Sequence, residues 1–257
     1  MISIRHSTDT HHNAKLRALP RRKGETNSAW IARSGIAGGI LLIGGSSGLD
    51  FRLRVAQSHM RSDLLPSLWS QTGLLLAPRG GAFLSAPLVG HADPALIPSH
   101  NAVETCRLRD YDDPDRYPNL ALIDFGGDVQ SVARRITAIA AQRSIVDLVS
   151  LLVPWLGFAW GAGRQGNPLF ESNGIPSAVL VETAYGIEGI ELTPGLSSQT
   201  SCPEAIWQSA RWWSSYYERA AAEPTRNAAV PVGCFVLDQP AAAVHLPARR
   251  APRRRRA

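Results

Sequence analysis

The chain has 257 residues, 44% hydrophobic and 19% charged, which is enough apolar material for a buried core and too much for a chain disordered throughout. Its 18 prolines and 22 glycines follow no period, excluding collagen-like classes, and its three cysteines (Cys106, Cys202, Cys234) form no CxxC pair, so neither a disulfide framework nor a structural zinc site is expected. The formal charge of +6 is uneven: residues 1–34 carry +5 and residues 245–257 carry +6, leaving −5 on residues 35–244.

An acidic body between basic ends argues against a nucleic-acid binder built on a body-wide basic face. Arg253, Arg254, Arg255 and Arg256 read as a solvated tail, or alternatively as a salt-sensitive tether to nucleic acid or anionic lipid. The scattered thiols favour a reducing, cytoplasmic compartment, with export or membrane association as the alternative.

In chain order, residues 1–28 are polar and basic with no apolar period, so residues 1–34 are expected to form a disordered basic tail. His6, His11 and His12 lack neighbours at metal-ligand spacing. GGILLIGG (38–45) reads as a buried strand bracketed by glycines. A rival reading takes Arg21, Arg22 and Lys23 with residues 36–49 as an export signal. Glycine dilutes that apolar stretch and no small-x-small cleavage site follows before Arg52 and Arg54, so the strand is favoured. GGSSG (44–48) resembles an anion nest, but no Lys follows, and a hairpin turn is expected there.

Residues 53–60 suit a short helix, 66–69 a turn and TGLLLA (72–77) a second strand. FLSAPLVG (83–90) suits a third strand, confined by Pro87 to an edge or bulge. Residues 100–107 read as extended, DYDDPDRYPN as a loop and 120–125 as a strand. VQSVARRITAIAAQR (129–143) is the clearest helix, with Asp128 at its N-cap position. Residues 145–163 approach membrane-spanning length. However, Asp147 and Pro154 interrupt them, so a buried or surface-docked helix is expected, with membrane contact the lesser alternative. Residues 177–185 and 202–219 predict two further helices, Pro203 suiting the first turn of the second. Residues 220–230 read as a linker and 232–237 as a last strand before the arginine-rich end. The fold class expected is α+β: one domain over 35–220 with a small antiparallel sheet packed on helices, followed by residues 221–257 as linker, short strand and tail.

Chemistry-bearing motifs are sparse. No Walker loop, strand-borne GxGxxG, GxSxG elbow or HExxH occurs. His59, His91 and His100 have Asp63, Asp93 and Glu104 within four residues, but no spacing makes a metal cluster, and no metal or cofactor is expected. Cys202 precedes a helix start, where the dipole would acidify an exposed thiol; the competing reading is a small packing residue. Trp212 and Trp213 with Tyr216 and Tyr217 suggest a sugar- or base-stacking site. At helical spacing, Trp213 and Tyr217 also share a face with Ile206 and Ala210, which reads as core, as do Trp155 and Trp160.

The series GGILLIGG (38–45), WSQTGLLLA (69–77), AVETC (102–106), NLALIDF with VARRITAIAAQ, IPSAVLVETAYGIEGIEL (175–192) and SCPEAIWQS (201–209) resembles the circularly permuted papain-like hydrolases. These are the YiiX-like group, related to NlpC-type cell-wall amidases and to lecithin:retinol acyltransferase. Family members open with G-D-I-L-L, carry S-H before the next apolar strand, and begin a later helix with C-S-x-L-V. A T/S-P-x-x-L segment follows. The similarity runs in order over residues 36–210, each motif being short. In such a site a helix N-terminus stabilises the cysteine thiolate, a strand-borne histidine takes the proton and a polar group orients the imidazole.

By this resemblance the histidine position falls on Gln71, the cysteine position on Ser177, the orienting position on Glu104 and the opening aspartate on Gly39. Glutamine does not titrate near neutrality, and a serine hydroxyl depends on a base more heavily than a thiol does. The resemblance therefore implies a degenerate hydrolase retaining a cleft for a peptide, amide or acyl-chain ligand. The alternative is an active hydrolase of cell-wall peptide or lipid amide bonds, with Ser177 or Cys202 as nucleophile and His59, His91 or His100 as base. A further alternative is a binding module tethered by its arginine-rich tail.

Overall fold

Unbroken apolar runs, rather than alternating ones, signal strands covered on both faces, and two such runs organise this chain. In a computed structural model, which describes residues 16–78, 81–88, 100–161, 165–220 and 230–244, they become β2 (Gly39–Gly44) and β6 (Asn119–Asp124) at the middle of a seven-stranded sheet. The other strands are β1 (Leu16–Ala18), β3 (Gln71–Leu75), β4 (Ala82–Ser85), β5 (Glu104–Arg107) and β7 (Val232–Leu237), in the order β1-β7-β6-β2-β3-β4-β5. Every pairing is antiparallel except β1 with β7. Six helices complete the described residues: α1 (Asn27–Arg33), α2 (Gly48–Ala56), α3 (Val129–Ala141), α4 (Leu148–Trp160), α5 (Pro176–Ile187) and α6 (Pro203–Ala220). The class is mixed α+β.

Strand periodicity divides the core in two. Ile40, Leu42, Ala121 and Ile123 point to one face, where they meet Val132, Ile136 and Ile139 of α3, Leu180 and Ala184 of α5, and Ile206 of α6. Leu41, Ile43, Leu120 and Leu122 point to the other, against Phe83, Tyr111 and Tyr117 and against Trp30 and Ile31 of α1.

This second layer corrects the expected tail and the expected small sheet. Residues 16–34 are part of the fold: Leu16–Ala18 adds an edge strand to β7, and Trp30, fully buried, donates its indole N–H to Leu19 O at 2.8 Å. The segment's dense basic charge concealed its few apolar anchors, and that charge is matched locally. Arg21 pairs with Asp238 at 2.6 Å, Arg33 pairs with Glu25 at 2.6 Å, and Arg17 donates to Ser34 O. Residues 1–15 and 245–257, with Arg253, Arg254, Arg255 and Arg256, lie outside the described residues.

Other expectations held or shifted for local reasons. Asp128 caps α3 by accepting from Gln130 N–H. Asp147 is the N-cap of α4, accepting from Val149 and Ser150 N–H, and Gly161 closes that helix at φ 67°. Within this stretch the helix is the 13 residues Leu148–Trp160, and no helix among the described residues is long and apolar enough to cross a membrane. Trp155 is fully buried as expected, but Trp160 is exposed, because α4 ends there and only one side of its last turn meets the body. The strand around FLSAPLVG stops at Ser85, ahead of Pro87.

The closure of the fold rests on Arg54, a fully buried arginine of α2. Its Nε donates to Ser67 O at 2.7 Å, Nη1 to Gly45 O, Gln239 Oε1 and Ala243 O, and Nη2 to Pro240 O at 3.1 Å and Ala241 O at 2.6 Å. Burial pulls this guanidinium below its ordinary value, and the charge of Asp50 one turn earlier opposes that fall. Arg54→Met would strand several buried carbonyls, at about 1–3 kcal/mol for each that water cannot reach. The expected outcome is a lowered urea midpoint, corresponding to a loss of at least about 3 kcal/mol in stability, with early proteolytic cleavage after residue 238. An unchanged midpoint would refute this role.

A second prediction concerns acid. Hydrogen bonds from Arg33 Nε and Nη2, with a smaller contribution from Arg22 N–H, hold the Glu25 carboxyl down at about 2, against a desolvation cost that acts in the opposite direction. A carboxyl lowered in the folded state contributes stability above its unfolded value, ordinarily 4.5, and loses that contribution as the pH falls toward 2. Glu25→Gln should therefore melt at a lower temperature than the parent chain at pH 7, the gap closing by about pH 2 in thermal scans.

Candidate functional site

The turn after β2 builds one wall of a cavity. GGSSG is a strand-to-helix turn rather than the expected hairpin: Ser47 caps α2, its Oγ accepting from Asp50 N–H at 3.1 Å while donating to the Asp50 carboxylate. Ser70 Oγ donates to Asp50 Oδ1 at 2.8 Å and accepts from Gly45 N–H at 3.1 Å. A Cβ at Gly45 would lie 2.2 Å from the Asp50 carboxylate, and one at Gly44 would lie 1.9 Å from Leu68 O, so both glycines make room for their neighbours. No motif in the sequence marks Asp50 or Ser70 as a site residue. The S-x-x-D spacing of Ser47 and Asp50 before an apolar helix is a capping-box signal that would have marked the turn.

The facing wall is the start of α5. Pro176 occupies the first helical position and Ser177 the next. The preceding segment is clamped by Gly174 N–H to Gln199 O (2.8 Å), Ile175 N–H to Ser201 O (2.9 Å) and Trp155 Nε1–H to Gly174 O (2.8 Å). A Cβ at Gly174 would fall 2.6 Å from the Gln199 and Ser201 carbonyls, which is why this crossing takes glycine. Deeper along α5, the buried Glu182 accepts from Thr193 N–H, Thr193 Oγ1–H and Ser201 Oγ–H, tying both following turns to the helix. Burial pushes the Glu182 carboxyl up, and the Ser201 and Thr193 hydrogen bonds work against that rise.

Between these walls lies a cavity of about 160 Å³ that both Gln71 and Ser177 line. Ser177 Oγ accepts Thr72 N–H at 3.2 Å. Gln71 Nε2 donates to Ser85 Oγ at 3.1 Å and to Tyr111 Oη at 3.2 Å, and Ser85 passes its own proton to Thr72 O at 2.7 Å. Burial drives the Tyr111 phenol far above its ordinary value, so it stays protonated. Leu49, Leu53, Leu88 and Ile175 supply apolar wall, Asp50 a carboxylate and Arg116 a guanidinium. The rest of the polar lining is hydroxyl and carboxamide.

The other candidates are not brought there. Glu104, on β5, pairs in register with Ser85 but does not line the cavity, so the orienting assignment is not supported: at the Gln71 end the side chain is held by Ser85 and Tyr111 instead. His59 packs its ring against Phe170 at 4.8 Å, and His100 lies exposed in the turn before β5; neither lines the cavity. His91 lies outside the described residues. Cys202 sits just before α6 as expected, but it is fully buried with Leu53, Trp155, Ile175 and Ala205. Burial pushes its thiol up to about 12, outweighing hydrogen bonds from the Ala205 and Glu204 backbone that act the other way. Desolvation thus reverses the acidification a helix start gives an exposed thiol. Cys106 is likewise pushed up to about 12, chiefly by burial. Among the described residues, no group of three or more histidine, cysteine or acidic side chains is placed to hold a metal ion.

All three cysteines are buried and unpaired. A colorimetric thiol reagent at pH 8 is therefore expected to find no reactive thiol in the folded chain and three after unfolding in urea. Rapid labelling of Cys202 in the folded chain would contradict its burial. In comparisons with known proteins, no family model, no curated protein and no solved structure matches this chain.

Proposed function

We propose that this chain is a binding protein on a permuted papain-like framework, whose cavity holds a peptide, amide or acyl-chain ligand without hydrolysing it. One observation carries the reading: Gln71 and Ser177, the positions that the resemblance assigns to base and nucleophile, line one cavity, and among the described residues no imidazole or thiol lines it with them. Their hydrogen bonding also suits an amide. Both Gln71 amide hydrogens are committed to the wall, leaving Oε1 as an acceptor, and Ser177 Oγ already accepts Thr72 N–H, leaving its hydroxyl hydrogen as a donor. An acceptor and a donor side by side match the N–H and C=O of an amide, with Leu49, Leu53 and Leu88 beside them for an apolar substituent. With no imidazole among the described lining residues, and with the Asp50 carboxylate taken up by the Ser47 and Ser70 hydroxyls, the Ser177 hydroxyl keeps its proton and the bound amide stays intact.

The test uses two readouts. A fluorophosphonate probe should leave Ser177 unlabelled in the parent chain; labelled Ser177 overturns the non-hydrolytic reading. In Ser177→Cys, the alkylation rate of the new thiol is followed against pH, alone and together with Gln71→His. An imidazole facing the thiol should lower its apparent pKa by at least about one pH unit. Identical profiles for the two variants would overturn the assignment of positions 71 and 177.

A further inference from the structure

The exposed half of α6 carries an arrangement that the cavity does not use. Ile206, Trp207 and Ala210 of this helix are buried in the core, whereas Trp212 is 55% and Tyr216 46% exposed. This corrects the expectation that core packing explains the aromatic cluster; only Trp213 and Tyr217 are half-buried. Trp212 and Tyr216, four residues apart, stack with centroids 5.3 Å apart and planes at 13°, and Trp213 meets the edge of Trp212 at 4.6 Å and 80°. Trp212, stacked on Tyr216, lines an open groove of about 290 Å³ between α6 and the turn at residues 61–63.

The groove is cationic. Arg61, Arg211 and Arg219 line it, against the single carboxylate of Asp63. Arg61 is neutralised where it stands: Asp63 pairs with it at 2.6 Å, and the buried Glu204 lies 3.7 Å away. Arg211 and Arg219 have no carboxylate partner among the described residues; Arg211 lies over the Trp207 ring at 6.0 Å, and Arg219 donates to Ser215 O. Gln208, Trp212, Ser215 and Arg219 follow one another at steps of four, three and four along one side of the helix, with Arg211 alongside. At about 1.5 Å per residue this stripe is about 16 Å long.

We propose that this groove binds single-stranded nucleic acid, a base stacking on Trp212 while Arg211 and Arg219 take the adjoining phosphates. The alternation of an exposed aromatic ring with guanidinium groups that no described carboxylate pairs is what a strand of bases and phosphates recognises. An acidic peptide would satisfy the arginines but offer Trp212 no planar partner, and an uncharged sugar would leave the arginines unused. The groove shares no lining residue with the cavity, so this inference stands or falls separately from the function proposed above.

The experiment is fluorescence anisotropy of a labelled 15-nucleotide oligothymidylate titrated with the full chain, with a labelled inorganic polyphosphate as the baseless polyanion. Trp212→Ala is expected to weaken oligothymidylate binding roughly five- to a hundredfold while leaving polyphosphate binding unchanged. Arg211→Ala with Arg219→Ala should weaken both and lower the slope of log affinity against log salt by about 1.4 for the oligothymidylate. No binding of oligothymidylate at 50 mM salt overturns the proposal. Affinities that neither variant alters assign the binding to the arginine-rich ends, and equal losses for both probes in Trp212→Ala reduce Trp212 to a structural part; either result overturns it.

Discussion

A guanidinium buried without a carboxylate in contact is stable only where neutral acceptors surround it, and the rest of this structure depends on that condition being met at Arg54. Its acceptors come from the turn leaving β2, the turn entering β3 and the segment that follows β7, three stretches far apart in sequence. Desolvating the charge costs several kcal/mol in general, so the segments supplying the carbonyls are held as strictly as the arginine. One turn earlier on the same side of α2, Asp50 fixes Ser47 and Ser70 at the cavity wall, and its charge helps keep Arg54 protonated. The cavity wall and the closure of the fold are thus two ends of one helix face. Gln57 extends the same logic, donating to Leu53 O and Trp69 O and accepting Glu204 N–H, which anchors the first turn of α6 to α2.

Much of this architecture is legible in the sequence wherever burial is two-sided or periodic. Residues 38–45, 73–77 and 120–123 are free of polar side chains because helices cover one side and α1 with the 108–117 segment covers the other. The 129–143 helix is legible because its arginines and its apolar residues separate cleanly around the turn, and Asp128 marks its start. Residues 16–34 are not legible, since a strand of three residues and a helix of seven carry too few apolar positions to show a period beneath five basic residues. The aromatic end of α6 misleads for the opposite reason. Helical spacing shows which residues share a face, and the neighbouring segments, not the spacing, decide whether that face is covered.

The site divides in the same way. Gln71 and Ser177 are adjacent because β3 and the start of α5 meet through Thr72 N–H, a backbone contact that no side-chain pattern encodes. Glu104 is placed by its register with Ser85, two strands from Gln71, and a residue count along the chain does not reveal that separation. Cys202 shows the limit of reading reactivity from position alone. Its place before a helix is visible in the sequence, whereas the Leu53, Trp155 and Ile175 side chains that exclude water from it come from three distant segments.

The pairing of β1 with β7 has a consequence for biosynthesis. Arg17 and Cys234 are in register at a sequence separation of 217, and this is the only parallel pair in the sheet described. At roughly 5–20 residues per second on the ribosome, β1 waits about ten to forty seconds for its partner to be translated. During that delay Leu16 and the indole of Trp30 have no finished sheet to cover, and the β6 edge that β7 later occupies stands open. The nascent chain is therefore exposed to strand-edge association until its last strand emerges, the interval in which a holding chaperone has something to grip.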